Sequence, residues 1–300
     1  MGESVLRLAA GELTATFLPG RGMLGASLRH RGEEILRRVD DLEGAAEKGS
    51  TAGIPLLHPW ANRLAGPAYR AAGREVALDP RSLLLHLDAN GLPLHGVPWA
   101  RLAWEVTRSA EDRLSARLDW SRPDLLAVFP FPHRLDLEAT LRPDALTIRT
   151  TLTAGAEGPV PVSFGFHPYI GIPGLPRASW RLVLPAMRRL RLDGTGIPTG
   201  EETAVAGVDG PLGATPFDDG FALLAPEASF ALAGGGGRVS VELLSGYPFA
   251  QVFAPPGKDL VALEPMTAPT SALTTERGLR LAAPQGSVTA SFRIRVEDEK

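Results

Sequence analysis

Apolar and polar residues alternate in stretch after stretch of this chain, and a period of two leaves few folds open. Leu114, Ala116, Leu118 and Trp120 are spaced this way, as are Leu135, Leu137, Ala139 and Leu141. Leu146, Ile148, Thr150 and Leu152 continue the scheme, followed by Val160, Val162, Phe164 and Phe166. Close to the C-terminus, Val288, Ala290, Phe292, Ile294 and Val296 repeat it with Ser and Arg between them. Alternate side chains of an extended chain point to opposite faces, so each stretch reads as a half-buried strand of an antiparallel sheet. Turn residues separate the stretches: Arg142-Pro143-Asp144, Gly155 to Pro159, and Gly234 to Gly237. Helical periodicity is scarce, and only Asp40 to Lys48 is compatible with a short exposed helix. The Gly-, Pro- and Thr-rich segment from Gly194 to Phe217 reads as a long ordered excursion on one face. Neither a flexible linker nor a fixed-period repeat divides the chain. The expected architecture is all-β, a large antiparallel β-sandwich with few short helices, formed as one domain over residues 1–300.

Composition removes several classes of function. With 31 basic and 34 acidic side chains, there is no cationic excess for gripping nucleic acid or an anionic membrane. The chain has no cysteine, which excludes disulfides, thiolate metal sites and thiol nucleophiles. No run approaches the roughly 20 apolar residues needed to span a bilayer. The first residues lack the basic start and sustained apolar core of a signal peptide, so a cytoplasmic location is expected. A Gly-x-Ser-x-Gly elbow is missing, and Gly234 to Gly237 has no following Lys-Ser/Thr pair to make a phosphate loop.

Four segments combine reactive side chains with apolar walls. His167 ends the run from Val160, sharing a face with Ser163 and Gly165. The glycine is expected to leave that face open to a planar ring, while Pro168 keeps His167 extended. Taken alone, a histidine after a strand such as His167 is usually an ordinary core or surface residue. Glu264 follows Leu260-Val261-Ala262-Leu263 and precedes Pro265, so it is either a desolvated base or a strand-end residue turned to solvent. His95, in Leu94-His95-Gly96, could donate to a ligand or cap its loop. Asn62-Arg63 follows His58-Pro59-Trp60-Ala61, where the guanidinium could clamp hydroxyls or pair with a neighbouring strand. Phe217-Asp218-Asp219-Gly220-Phe221 sets two carboxylates between aromatics, fit for a sugar, a calcium ion or a plain turn.

In this order, the segments resemble the aldose 1-epimerase (galactose mutarotase) family over nearly the whole chain. The ordered set is specific where each motif alone is weak. The resemblance implies a galactose mutarotase-type supersandwich that interconverts the α and β anomers of a hexose. It implies that His167 of His-Pro-Tyr is the general acid and Glu264 of Glu-Pro the general base. Asn62, Arg63, His95, Asp218 and Gln251 would bind substrate, with Asp219 competing for the role of Asp218. No cofactor and no metal are implied, and the partner would be a small-molecule sugar bound by a monomer or homodimer. Three departures touch substrate identity: Ile170 where phenylalanine is common, His58 at a usually apolar or aromatic place, and Ser271 in place of an asparagine. His58 stays outside the catalytic set. Three rivals remain: a hexose-6-phosphate 1-epimerase, a noncatalytic carbohydrate-binding β-sandwich, and a metal enzyme with His95, His133, His167 and Glu264 as ligands. The imidazole of His167 and the carboxylate of Glu264 are expected to face each other across a pyranose-sized pocket, with His167 partly protonated with the help of a carboxylate such as Asp218.

Overall fold

The computed structural model describes residues 5–37 and 42–298. The alternating stretches are strands, and most of them join a single sheet. Among the described residues this sheet runs, edge to edge, through Val208–Pro211, Arg181–Leu184, Ala228–Gly234, Gly237–Ser245, Ser287–Asp298, Ala145–Ala154, His133–Arg142, Arg113–Trp120 and Glu105–Ser109. Every pairing in it is antiparallel, and Ala145–Ala154 is laddered to His133–Arg142 from Ala145↔Arg142 to Ala154↔His133. Burial alternates along His133–Arg142 as the period-two pattern requires, with Leu135, Leu137, Ala139 and Leu141 at 2 % exposure or less. The turns at Pro143-Asp144 and Gly235-Gly236 close hairpins within this sheet.

A second sheet carries the candidate site. Its order is Pro198–Val205, Met187–Leu192, Phe217–Leu223, Phe249–Ala254, Val261–Met266, Gly165–Phe166 and Leu56–Leu57, with Tyr169–Ile170 also pairing with Val261–Met266. The two sheets meet through aromatic side chains. The Phe166 ring lies 5.0 Å from that of Phe292 in the large sheet, and Tyr247 lies between Phe164 and Phe292 at 6.1 and 6.0 Å. Phe164, Phe166 and Phe292 are each at most 1 % exposed, so they anchor the core between the layers. Burying side chains of this size supplies much of the drive for sheet-on-sheet packing. Because Phe166 points into that core, the next residue, His167, points out of the opposite face.

The architecture is the expected antiparallel β-sandwich, and the described helices are short: Leu42–Lys48, Pro123–Val128 and Ala272–Thr275. Leu42–Lys48 falls within the stretch expected to be helical, whose first residues, Asp40 and Asp41, lie outside the described residues. No described helix is long and apolar enough to cross a membrane.

Two local expectations need correction. The run from Val160 to Phe166 is not one half-buried strand. Val160–Val162 is buried throughout and pairs with Arg280–Ala282, while Gly165–Phe166 joins the site sheet. Alternation reports which faces are buried and is blind to a change of partner between sheets. The segment from Gly194 to Phe217 is also more regular than an excursion. Pro198–Val205 extends the edge of the site sheet, and Val208–Pro211 that of the large sheet. Their side chains are mostly exposed, so the sequence lacked the apolar period that marks interior strands.

Candidate active site

Strand register brings the two residues singled out as acid and base together. Gly165 pairs with Met266 and Tyr169 with Ala262, which sets His167 directly opposite Glu264. Opposed residues of antiparallel strands put their side chains on the same face. His167 Nε2 lies 3.1 Å from Glu264 Oε1, and the side chains are only 6 % and 2 % exposed. The expectation that they face each other across a pocket is therefore corrected: they stand side by side on one wall. The next strand continues the row, since Gln251 pairs with Glu264 and Gly220 with Gln251. A Cβ at Gly220 would sit 3.2 Å from Gln251 Oε1, so the glycine gives the amide its room.

Gly165 does not open the face for a sugar, as its place beside His167 suggested. A Cβ there would lie 2.7 Å from Pro265 O and 2.9 Å from the Ala61 Cβ. The missing side chain serves close packing between strands.

The loops carrying Asn62-Arg63 and Leu94-His95 clasp each other. Arg63 and Leu94 form an antiparallel bridge, the Leu64 amide donates to Pro93 O at 2.9 Å, and the His95 amide donates to Asn62 O at 2.9 Å. Asn62 and His95 both adopt left-handed backbone, at φ 57° and 62°. Gly96 follows because any Cβ there would collide with the His58 carbonyl. Ser271 ties in a third segment. Its amide donates to Arg63 O at 2.8 Å, and its hydroxyl accepts from the Ala65 amide at 3.0 Å. Ser271 is left-handed too, at φ 62°, a conformation asparagine adopts more readily than most residues.

These side chains line one cavity of about 400 Å³, which includes Asn62, Arg63, His95, His167, Asp218, Gln251 and Glu264. All seven site residues expected from the sequence therefore share a single space, of a size usual for small-molecule pockets. Asp218 and Asp219 separate by strand alternation. Asp218 faces the cavity and accepts from Gln251 Nε2 at 2.7 Å, whereas Asp219 turns away to meet Arg189 at 2.6 Å. Arg63 is both a pocket residue and half of an ion pair. Its Nε donates to Asp88 Oδ2 at 2.7 Å, and its Nη1 donates to Asn62 Oδ1 at 3.2 Å.

Burial dominates the electrostatics. It drives the His167 imidazole down to about 3 and holds the Glu264 carboxyl well above its ordinary range, with nearby Asp218 pushing the same way and Arg63 opposing. Burial therefore favours one proton on Glu264, beside a neutral imidazole. Burial thus opposes the expected partial protonation of His167, and Asp218 does not offset it. Burial and the neighbouring His167 likewise keep His95 neutral. His167 Nδ1, His95 Nδ1 and Glu264 Oε2 are all buried without a hydrogen-bond partner. Unpaired polar atoms of this kind are uncommon in protein interiors, and these three stand together on one cavity wall.

The sequence reading passed over several lining residues. The Tyr169 ring lies 4.3 Å from that of His167, and its hydroxyl is 2.6 Å from Thr51 Oγ1. Phe253, His86, Arg37 and Lys258 also line the cavity. Tyr169 stood within the quoted His-Pro-Tyr motif, but the others had no local signal. Asp88 was missed as well, although Asp88-Ala89-Asn90-Gly91 has the composition of a turn. Its carboxylate accepts from the Asn90 and Leu92 amides at 2.8 and 3.0 Å while holding Arg63. His133, a ligand in the metal rival, is packed in the core against His58, with their Nε2 atoms 2.9 Å apart. Among the described residues, no three His, Asp or Glu side chains converge as a metal site would require.

The fold and pocket define a β-sandwich protein with a buried histidine–glutamate pair in a polar cavity, and comparison assigns it to a family. Residues 15–295 match the family model described as aldose 1-epimerase, and the chain belongs to this family. No curated protein matches it in sequence. Among solved structures it is similar to a galactose mutarotase-like protein from Clostridium acetobutylicum, at 19% identity and a TM-score of 0.87 over 99% of this chain and 96% of that one. A protein from Synechocystis sp. PCC 6803 is 25% identical with a TM-score of 0.81, covering 100% of this chain and 97% of that one. An aldose epimerase homologue from C. elegans is 18% identical with a TM-score of 0.81, and both chains are covered completely.

Proposed function

We propose that this protein is an aldose 1-epimerase, interconverting the α and β anomers of a hexose by acid–base ring opening and closure. The observation that carries the reading is the contact of 3.1 Å between His167 and Glu264 on a cavity wall. In a pyranose the anomeric hydroxyl oxygen and the ring oxygen O5 are bonded to the same carbon. A base for one and an acid for the other must stand side by side, and these two groups do.

In the reaction, Glu264 accepts the proton of the C1 hydroxyl while His167 donates one to O5. The C1–O5 bond breaks and C1 becomes the aldehyde carbon. Rotation about C1–C2 presents the other carbonyl face. His167 then takes back the O5 proton as Glu264 returns one to the carbonyl oxygen, giving the second anomer. The protons balance within the pair, which is ionic while the ring is closed and neutral while it is open. The neutral form favoured by burial is the open-ring half of the cycle. The ionic form is reached by one transfer across the existing contact, and Arg63 and the sugar hydroxyls stabilise the resulting carboxylate. His95, Asn62, Asp218 and Gln251 hold the remaining hydroxyls, the last two through a shared hydrogen bond that orients both.

Polarimetry or anomeric NMR of freshly dissolved α-glucose and α-galactose tests the proposal. Protein should accelerate the approach to equilibrium. Glu264→Gln and His167→Asn should each slow it by about 10²–10⁴-fold with the circular dichroism spectrum unchanged. Wild-type rates in both variants would overturn the assigned roles, and no acceleration of any aldose would overturn the activity.

A further inference from the structure

An imidazole that works through one ring nitrogen is commonly oriented by a hydrogen bond at the other, to a carboxylate or a backbone carbonyl. His167 is oriented differently. Its Nε2 meets Glu264 Oε1, and among the described residues its buried Nδ1 has no hydrogen-bond partner. The ring is braced instead by its aromatic neighbours. His95 and Phe253 stand steeply inclined to it at 5.4 and 6.2 Å. Tyr169 is closer, with ring centres 4.3 Å apart and planes 33° from parallel, so it covers one face of the imidazole. The two side chains meet because they lie two residues apart in extended chain.

Tyr169 is itself held at both ends. Its amide donates to Gly53 O at 3.1 Å, and its hydroxyl shares a hydrogen bond of 2.6 Å with Thr51 Oγ1. Thr51 lies outside the site sheet, in the segment after the Leu42–Lys48 helix, and lines the cavity with Gly49 and Ser50. Gly49 and Gly53 flank it in left-handed backbone, at φ 68° and 60°. A Cβ at Gly53 would collide with Gly25 O, which fixes where the segment leaves the sheet. At its other end, Trp99 Nε1 donates to Ser50 O at 2.8 Å. Trp99 and Ala46 of the helix belong to a small apolar cluster with Leu18, Leu24 and Ala26, separate from the main core. The Thr51 hydroxyl is thus placed by a wall of its own and reaches the His167 ring through a single intermediary.

We infer that Thr51 is a positioning residue for the acid: its hydroxyl sets the Tyr169 ring, and that ring sets the imidazole against Glu264. This inference rests on His167 being the acid of an epimerase, and it adds to that machinery a residue from outside the sheet. Orientation matters at such a contact, because displacing a reacting group by about 1 Å can cost about 100-fold in rate.

Thr51→Val closely matches the shape and removes the hydroxyl, Thr51→Ser keeps the hydroxyl, and Tyr169→Phe removes the other half of the bond. Polarimetry should show kcat reduced about three- to tenfold in Thr51→Val and in Tyr169→Phe, the worth of one hydrogen bond, with KM nearly unchanged. Thr51→Ser should recover most of the loss, and the double variant should be no slower than either single one. Imidazole nitrogen NMR reads the same contact without turnover. The His167 resonances, assigned by their loss in His167→Asn, should shift in both single variants while those of His133 in the core remain in place. A rise confined to KM would make Thr51 a sugar contact, and multiplicative losses in the double variant would separate the two hydroxyls; either result overturns the inference. Unmoved His167 resonances overturn it as well. If no aldose is epimerised while the His167 resonances still shift, the positioning contact stands and the epimerase falls.

Discussion

At the scale of single residues, Arg63 illustrates why a bland and a functional reading of one side chain need not compete. An isolated arginine after an apolar stretch is most simply half of a salt bridge, and Arg63 does pair with Asp88. The pairing also fixes the fork, since Nε is spent on Asp88 and Nη1 on Asn62, so the guanidinium keeps one orientation at the cavity wall. Burial works to raise the Asp88 carboxyl. Arg63 and the Leu92 and Asn90 amides outweigh it and hold the group below its ordinary range. Asp88 is thus ionised at neutral pH and acts through Arg63. Asp88→Asn should raise KM about tenfold with a smaller change in kcat, because it loosens a group proposed to bind substrate and leaves the proposed acid–base pair intact. Steady-state kinetics of the variant check this, and a fall confined to kcat would count against it. The Asp88–Arg63 pair was not legible beforehand: 25 residues separate the partners, and no local pattern encodes the pairing. Arg37 and Lys258 escaped for the same reason, whereas His167 and Glu264 stood in motifs with recognisable neighbours.

At the scale of elements, the short Gly165–Phe166 strand determines whether the pair can form. It is wedged between Leu56–Leu57 and Val261–Met266, and its register with the latter sets His167 against Glu264. Gly165→Ala would thrust a methyl group toward Pro265 O and Ala61, forcing the strands apart at the point that aligns the two catalytic candidates. Overpacking of this kind costs about 1–3 kcal/mol. Urea unfolding should report that loss, and kcat should fall even under conditions where the variant is fully folded. Unchanged stability and unchanged kcat would mean that the strand tolerates the displacement. The alternation in the sequence identified the strands of the large sheet well, because each buries one face against a continuous core. It was silent on Pro198–Val205, where nearly every side chain is exposed, and it fused Val160–Val162 with Gly165–Phe166 although they belong to different sheets. Periodicity reads burial, and partner choice is a separate variable that it does not carry.

At the scale of the whole molecule, buried histidines tie folding to pH. His58 and His133 form a dyad in the core, with Trp120 and Phe129 packed around it. His133 Nδ1 donates to Phe131 O at 2.6 Å, so its Nε2 accepts and His58 Nε2 must donate. Both rings are neutral in the folded protein. Burial lowers His133 to about 4, and burial together with its partner lowers His58 well below the ordinary value. A histidine with a depressed folded pKa contributes stability that is complete above the unfolded value and is lost as pH falls toward the folded one. For His133 that window runs from about 6.5 to about 4, and the loss across it is on the order of 3 kcal/mol. His167 has the same sign, but Glu264 has the opposite one: its raised pKa makes acidification favourable to the folded state. Glu264 thus opposes His167, while His95, also lowered by burial, acts in the same sense as the core dyad. Replacing both partners by apolar side chains removes the imidazole pair together and leaves the Phe131 carbonyl without its His133 donor. The double substitution His58→Phe with His133→Leu should therefore flatten the decline in the urea midpoint between pH 6.5 and pH 4.5 relative to the unaltered chain. An unchanged decline would place the acid sensitivity elsewhere, in the pocket histidines His95 and His167 or among the surface carboxylates. Because the dyad lies in the core and not in the cavity, the double variant should keep the contact between His167 and Glu264, so epimerisation measured at pH 7 should survive a change that reshapes the acid stability of the fold.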